Sequence, residues 1–187
     1  MRIFVALDIA GDVHRALEAF VACLKPVAAD ARWVRPEGMH ITVKFLGEVS
    51  PEKVERIEGE LAMVRSETAV DMQFRGVGFF PNERQPRVFW VGVEASPNLA
   101  ELAADIETRL EKLGIPREGR AFRPHLTLAR FTSTRGLDRL REALAASPPG
   151  EFGRMRTDRF HLYQSRLWPG GAVYTKLATW RFVGGRG

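Results

Sequence analysis

The chain has 187 residues, of which 45% are apolar and 27% charged, the balance of a soluble globular protein with an adequate core in one compact domain or two small fused lobes. Lys and Arg exceed Asp and Glu by 28 − 23 = +5, and the basic residues are mostly Arg, which pairs bidentately with phosphate, so a polyanionic partner is expected. The single cysteine, Cys23, excludes an internal disulfide and a CxxC metal pair. No apolar run is long enough for a signal peptide or a bilayer span, so the chain is expected in the cytoplasm and off the membrane.

Residues 2–9 read as a strand rich in Ile, Phe, Val and Leu. Asp12 offers an N-cap for a helix in which Val13, Leu17, Phe20, Val21 and Leu24 recur at helical spacing until Pro26, with Cys23 buried in its apolar run. Residues 31–49 form an extended segment that carries His40-Ile41-Thr42-Val43. Ser50 and Pro51 open a second helix, with a stripe of Val54, Ile57, Leu61 and Val64. Strands follow at 70–80 and 87–94, joined by the turn Pro81-Asn82-Glu83-Arg84. Ser96-Pro97-Asn98 starts a third helix with Leu99, Leu102, Ile106, Leu110 and Leu113 on one side. Residues 120–131 read as a strand bearing His125-Leu126-Thr127-Leu128, and Thr134 to Ala146 as a shorter helix. Strands at 154–165 and 172–183 precede a Gly-Arg tail that is expected to fray.

The order of elements repeats. His40 and His125 are 85 residues apart, as are Thr42 and Thr127 and Leu17 and Leu102, and at that offset Phe4 to Ile9 aligns with Phe89 to Glu94. The expected fold class is therefore α+β: two pseudo-symmetric lobes of mostly antiparallel sheet with outer helices and an active-site cleft between them. The whole chain, 1–187, forms one bilobal domain with an internal repeat of about 2–80 and 87–165 and a final strand at about 172–183.

On a strand, residues two apart share a face about 6–7 Å apart, so each His stands beside its Thr. One H-x-T in such a chain arises by chance at roughly 0.2, and two at roughly 0.02, so the pair on matching strands carries the argument. Two imidazoles and two hydroxyls around one hole suit a phosphate ester opened by acid and base. Histidine serves either role, with two distinct ring nitrogens, and a threonine hydroxyl can donate to a non-bridging oxygen as charge builds. Of the other histidines, His14 reads as a surface residue, and His161, on a late strand, as core or surface, with contact to the cleft as the alternative. No HExxH or P-loop is present, and no metal or cofactor is expected.

His40 to Gly47 and Phe122 to Arg130 resemble the paired HxTx signatures of the 2H phosphoesterases, in the RNA 2′,3′-cyclic phosphodiesterase (2′-5′ RNA ligase-like) branch. The resemblance extends to the opening strand RIFVALDI and to Leu162-Tyr163-Gln164-Ser165. It implies His40 as proton donor and His125 as proton acceptor, which the near-interchangeable motifs themselves do not separate. The implied partner is RNA or an oligonucleotide with a 2′,3′-cyclic phosphate end, with no obligate protein partner and a monomeric state. The product is a 2′-phosphomonoester, and Phe45 and Arg130 are implied to stack on a base and to bind phosphate. Strict strand parity sets these two on the opposite face from the histidines, so they reach the cleft only if a bulge or bend follows each Thr. RNA ligation by the same pair, with a 5′-hydroxyl attacking in place of water, and a non-catalytic RNA-binding module using Phe45, Trp33 or Trp90 as stacking platforms are the competing readings.

Overall fold

The computed structural model describes residues 1–169 and 171–183 of the chain; the Gly-Arg tail beyond lies outside the described residues. Among the described residues nine strands form one sheet in the order β7-β4-β5-β6-β3-β1-β8-β9, with β2 paired to β6. The strands are β1 (Arg2–Asp8), β2 (Arg32–Trp33), β3 (His40–Glu48), β4 (Val70–Phe80), β5 (Val88–Ala95), β6 (His125–Arg130), β7 (Glu151–Thr157), β8 (Arg159–Trp168) and β9 (Gly171–Arg181), and every pairing between them is antiparallel. The order reads alike from both ends: β6, β5, β4 and β7 on one side mirror β3, β1, β8 and β9 on the other. These half-sheets are not the two halves of the sequence, because β4 crosses to pair with β5 and β8 crosses to pair with β1.

Four helices, α1 (Gly11–Leu24), α2 (Pro51–Leu61), α3 (Asn98–Glu111) and α4 (Leu137–Ala146), bury their apolar stripes with one face of the sheet. Val13, Leu17, Val21 and Leu24 of α1 and Leu99, Leu102, Ile106 and Leu110 of α3 join Ile3, Val5, Leu7, Ile41, Val91 and Leu126 in that core. Burial of each such side chain contributes about 1.5–3 kcal/mol. The other face carries His40, Thr42, His125 and Thr127 of the central strands, each half-buried.

Several boundaries differ from the sequence reading. The α1 N-cap is Ala10, with Asp12 inside the first turn and paired to Arg15. Cys23 is exposed, since it lies one position off the stripe defined by Val21 and Leu24. The second motif strand begins only at His125: Pro124 has no N–H to give a ladder, and residues 117–124 run as a loop. α4 starts at Leu137 rather than Thr134, after Gly136 in the left-handed region at φ 77°. The stretch read as one strand at 154–165 is two, β7 and β8, at opposite sides of the sheet. The chain turns at Asp158, whose carboxylate accepts from Arg159 at 3.1 Å and from Arg181 at 2.8 Å.

Candidate active site

β3 and β6 meet at the middle of the sheet through the pair Ile41–Leu126. Both residues are fully buried on the helix face, so their neighbours His40, Thr42, His125 and Thr127 point to the open face. Continuing that antiparallel register sets His40 across from Thr127 and Thr42 across from His125. In such a ladder opposed Cβ atoms lie about 5 Å apart and diagonal ones, here the two histidines, about 7–8 Å. That span fits one tetrahedral anion between two imidazoles.

Both rings are held alike. Nδ1 of His40 lies 2.6 Å from the carbonyl of Gly38, and Nδ1 of His125 lies 2.8 Å from that of Arg123, each two residues upstream. A carbonyl only accepts, so Nδ1 carries the hydrogen in both, and the neutral ring keeps its lone pair on Nε2. Gly38 belongs to a 3-10 turn at Pro36–Gly38, and His14 Nε2, 2.8 Å from the Pro36 carbonyl, ties α1 to that turn. His14 is thus half-buried and bonded rather than a free surface residue.

Each Thr is followed by a bulge. Lys44 pairs with Val5 and Thr42 with Ala6, leaving Val43 without a partner, and on β6 Ala129 pairs with Phe89 and Thr127 with Trp90, leaving Leu128. Two successive residues are therefore buried in each strand, Val43-Lys44 and Leu128-Ala129, and the next residue returns to the histidine face. Phe45 is 40% exposed, pairs with Phe4 and lies under the Arg2 guanidinium at 4.9 Å. Arg130 is exposed, and its positive charge reaches His40. The condition for Phe45 and Arg130 to lie on the cleft face is met on both strands.

Burial drops the His40 pKa from 6.5 to about 4, against the Gly38 hydrogen bond and the Asp8 charge, which raise it, and with Arg130, which lowers it further. The unfolded chain then holds this proton more tightly than the folded one. Stability is therefore undiminished above pH 6.5 and falls as pH drops towards 4. Between pH 7 and 4.5 this single group is expected to cost about 2–3 kcal/mol. Urea unfolding at the two pH values checks it: the loss in the native chain should exceed that in His40→Ala by this amount, and equal losses would contradict it.

A family model described as LigT like Phosphoesterase matches the chain twice, over residues 7–90 and 91–174. The chain belongs to the LigT-like phosphoesterases. It is 37% identical over 177 residues to the RNA 2′,3′-cyclic phosphodiesterase of Archaeoglobus fulgidus, covering 95% of this chain and 98% of that one. To the protein of the same name from Methanothermobacter thermautotrophicus it is 33% identical over 182 residues, 97% and 98% of the two chains. A crystal structure from Thermus thermophilus superposes with a TM-score of 0.82 at 31% identity, over 98% of this chain and 99% of that one. E. coli LigT complexed with phosphate gives 0.74 at 25% identity, over 98% of each chain.

Within this LigT-like frame, the surroundings of His40 hold residues that the motifs do not mark. Its ring stacks on Phe4 at 4.7 Å and meets the edge of Tyr174 at 5.0 Å. Asp8 faces it across β1–β3. One Asp8 oxygen accepts from the Tyr163 hydroxyl; the other accepts from Lys176 Nζ at 2.7 Å and lies 3.3 Å from His161 Nε2. His161 is thus buried on the His40 side of the sheet, with Nδ1 2.8 Å from the Thr179 hydroxyl. On the other side, His125 meets the edge of Phe80 at 5.0 Å and borders a cavity of about 340 Å³ lined by Arg75, Trp90 and Phe122 among others. Trp33, by contrast, is tied to the Ala28 carbonyl and packs edge-on to Phe89, so it offers no platform to the cleft.

Proposed function

We propose that this LigT-like phosphoesterase opens the 2′,3′-cyclic phosphate at RNA ends, without a metal, to a 2′-phosphomonoester. The observation that carries the reading is the matched pair of imidazoles on one face, each with Nδ1 tied to a backbone carbonyl and Nε2 available, each beside a threonine. The relatives named RNA 2′,3′-cyclic phosphodiesterase supply the substrate class.

In this reading His125 Nε2 takes a proton from water as its oxygen bonds to phosphorus. The P–O3′ bond breaks, and His40 Nε2–H gives its proton to the leaving O3′. Thr42 and Thr127 donate to the non-bridging oxygens, where preorganised donors stabilise developing charge. Arg130 pairs with the phosphate and Phe45 stacks on the base. Before substrate enters, burial keeps His40 neutral; the anionic ester restores its proton, so substrate binding at pH 7 takes up as much as one proton. The same neutral His40 favours a second reading in which the roles are exchanged, with His40 as base and His125 as acid.

The proposal also takes the chain as one bilobal domain, 1–187, a cytoplasmic monomer acting on RNA. The mirrored strand order and the two successive family matches support the bilobal frame. No helix among the described residues is long and apolar enough to cross a membrane.

The test mixes purified protein with a short RNA ending in a 2′,3′-cyclic phosphate, in EDTA. The expected result is ring opening to the 2′-monophosphate; no opening, or opening that needs added metal, overturns the proposal. A second RNA with a free 5′-hydroxyl exposes 2′-5′ ligation as a joined product, and binding without turnover points to a binding module.

A further inference from the structure

The two histidines occupy equivalent registers on unlike ground. Across the adjoining strand His40 faces Asp8, whereas His125 faces Gly92. One strand further out, His161 pairs with Ala6 and Tyr163 with Phe4; in the mirrored half-sheet Gly78 pairs with Trp90 and Phe80 with Val88. Asp8, His161 and Tyr163 thus stand where the other half has Gly92, Gly78 and Phe80. Trp90 lies over the bare Gly78, where an added Cβ would come within 2.2 Å of its ring. The ground beneath His40 is a carboxylate with three donors; beneath His125 it is glycine and aromatic ring.

We propose that Asp8 is a positioning residue that makes the pair unequal, holding opposite His40 a negative charge that favours its protonated form when a phosphate enters the cleft, with no counterpart opposite His125. This rests on the reading of His40 and His125 as an acid–base pair.

The chemistry of the cluster agrees. Burial pushes the Asp8 carboxyl up, but hydrogen bonds from Lys176 and Tyr163 outweigh it and hold Asp8 below the ordinary carboxylate value, so it is charged. Burial pushes the Tyr163 phenol up, with Asp8 adding to it, and pushes His161 down against the opposing Asp8 charge, so both are neutral at pH 7. A neutral His161 gives its Nε2–H to Asp8 and accepts from the Thr179 hydroxyl. The three donors fix the Asp8 carboxylate in place, and its charge acts on His40 through space, across a cross-strand separation of about 5 Å. The groups turned towards His40 are Asp8 from β1, His161 and Tyr163 from β8, Lys176 and Tyr174 from β9 and Arg130 from β6. Asp8 is the one anion among them. Lys176, paired to it, sets how much of that charge His40 feels.

The test follows the His40 and His125 rings by NMR through a pH titration of the whole protein in saturating inorganic phosphate. Asp8→Asn keeps the volume and the acceptor for Tyr163, and is expected to weaken proton binding at His40 by about three- to tenfold while leaving His125 unmoved. Lys176→Met leaves Asp8 uncompensated and is expected to strengthen it by a similar factor. Opposite signs from two members of one cluster are not produced by a loss of structure. An unmoved His40 in both variants, equal movement of both histidines, or movement of His40 in the same direction in both variants overturns the proposal. If the midpoints move as expected while the native chain fails to open an RNA cyclic phosphate, the functional reading falls and the role of Asp8 stands.

Discussion

Replacing His125 with alanine is expected to lower kcat on an RNA 2′,3′-cyclic phosphate by about 10²–10⁴-fold, and replacing His40 to lower it by as much, since each removes one positioned proton transfer. The two losses should not multiply in the double variant, because an acid and a base that act on one transition state work as a unit. KM should change far less than kcat, as the phosphate keeps Thr42, Thr127 and Arg130. The leaving group separates the roles. A substrate with sulfur in place of the bridging 3′ oxygen departs as a thiolate and needs no proton. It should restore most of the turnover lost in His40→Ala and little of that lost in His125→Ala. Rescue of the His125 variant instead would establish the exchanged assignment, and loss below tenfold in both variants would remove the acid–base pair altogether.

The second large effect concerns stability. Lys44 is buried to 1% exposure, and its Nζ donates to Glu107 at 2.7 Å and to the Pro116 carbonyl at 2.9 Å, tying β3 to α3 and to the loop after it. The Glu107 side chain is 16% exposed. Taking one partner from a buried ion pair leaves the other charge without compensation, at a cost of about 3–5 kcal/mol. Lys44→Met, which keeps the length of the stem, is expected to lose that much in urea unfolding at pH 7. The double variant Lys44→Met with Glu107→Leu should regain most of it, because removing both charges also removes the penalty of desolvating them. A loss under 1 kcal/mol in the single variant would show that water reaches the pair.

Lys44 also shows where a sequence stops being legible. Strict alternation along His40-Ile41-Thr42-Val43-Lys44-Phe45 sets Lys44 beside the histidine and Phe45 in the core. The structure exchanges them, and the cause is the unpaired Val43. A bulge depends on how two strands pair, so it has no local signature in either strand; the same holds at Leu128 before Arg130. Where pairing is not needed, much more is legible. The apolar stripes of α1, α2 and α3, the strands at 70–80 and 87–94, and the shared face of His40 and Thr42 all follow from period and spacing.

The register also corrects the repeat in detail. Identity at an offset of 85 sets Phe4 against Phe89, but the pairings set Phe4 with Phe45 and Val88 with Arg130, so β1 and β5 correspond at 84 while the motif strands correspond at 85. Only with that slip does Asp8 correspond to Gly92 and the asymmetry beneath the histidines come into view. A trace of it is visible in the chain: Phe4, Ala6 and Asp8 share a strand face, and a carboxylate ending an otherwise apolar series requires partners. Those partners, Tyr163, Lys176 and His161, come from strands more than 150 residues away, and spacing alone does not bring them together.

The most direct measurement is a crystal structure of the native chain soaked with inorganic phosphate. The account predicts one phosphate at the β3–β6 seam, with Nε2 of both His40 and His125 within about 2.6–3.2 Å of its oxygens and the Thr42 and Thr127 hydroxyls on the others. A phosphate held by only one histidine, or Nε2 atoms more than about 10 Å apart with no anion shared between them, would contradict it.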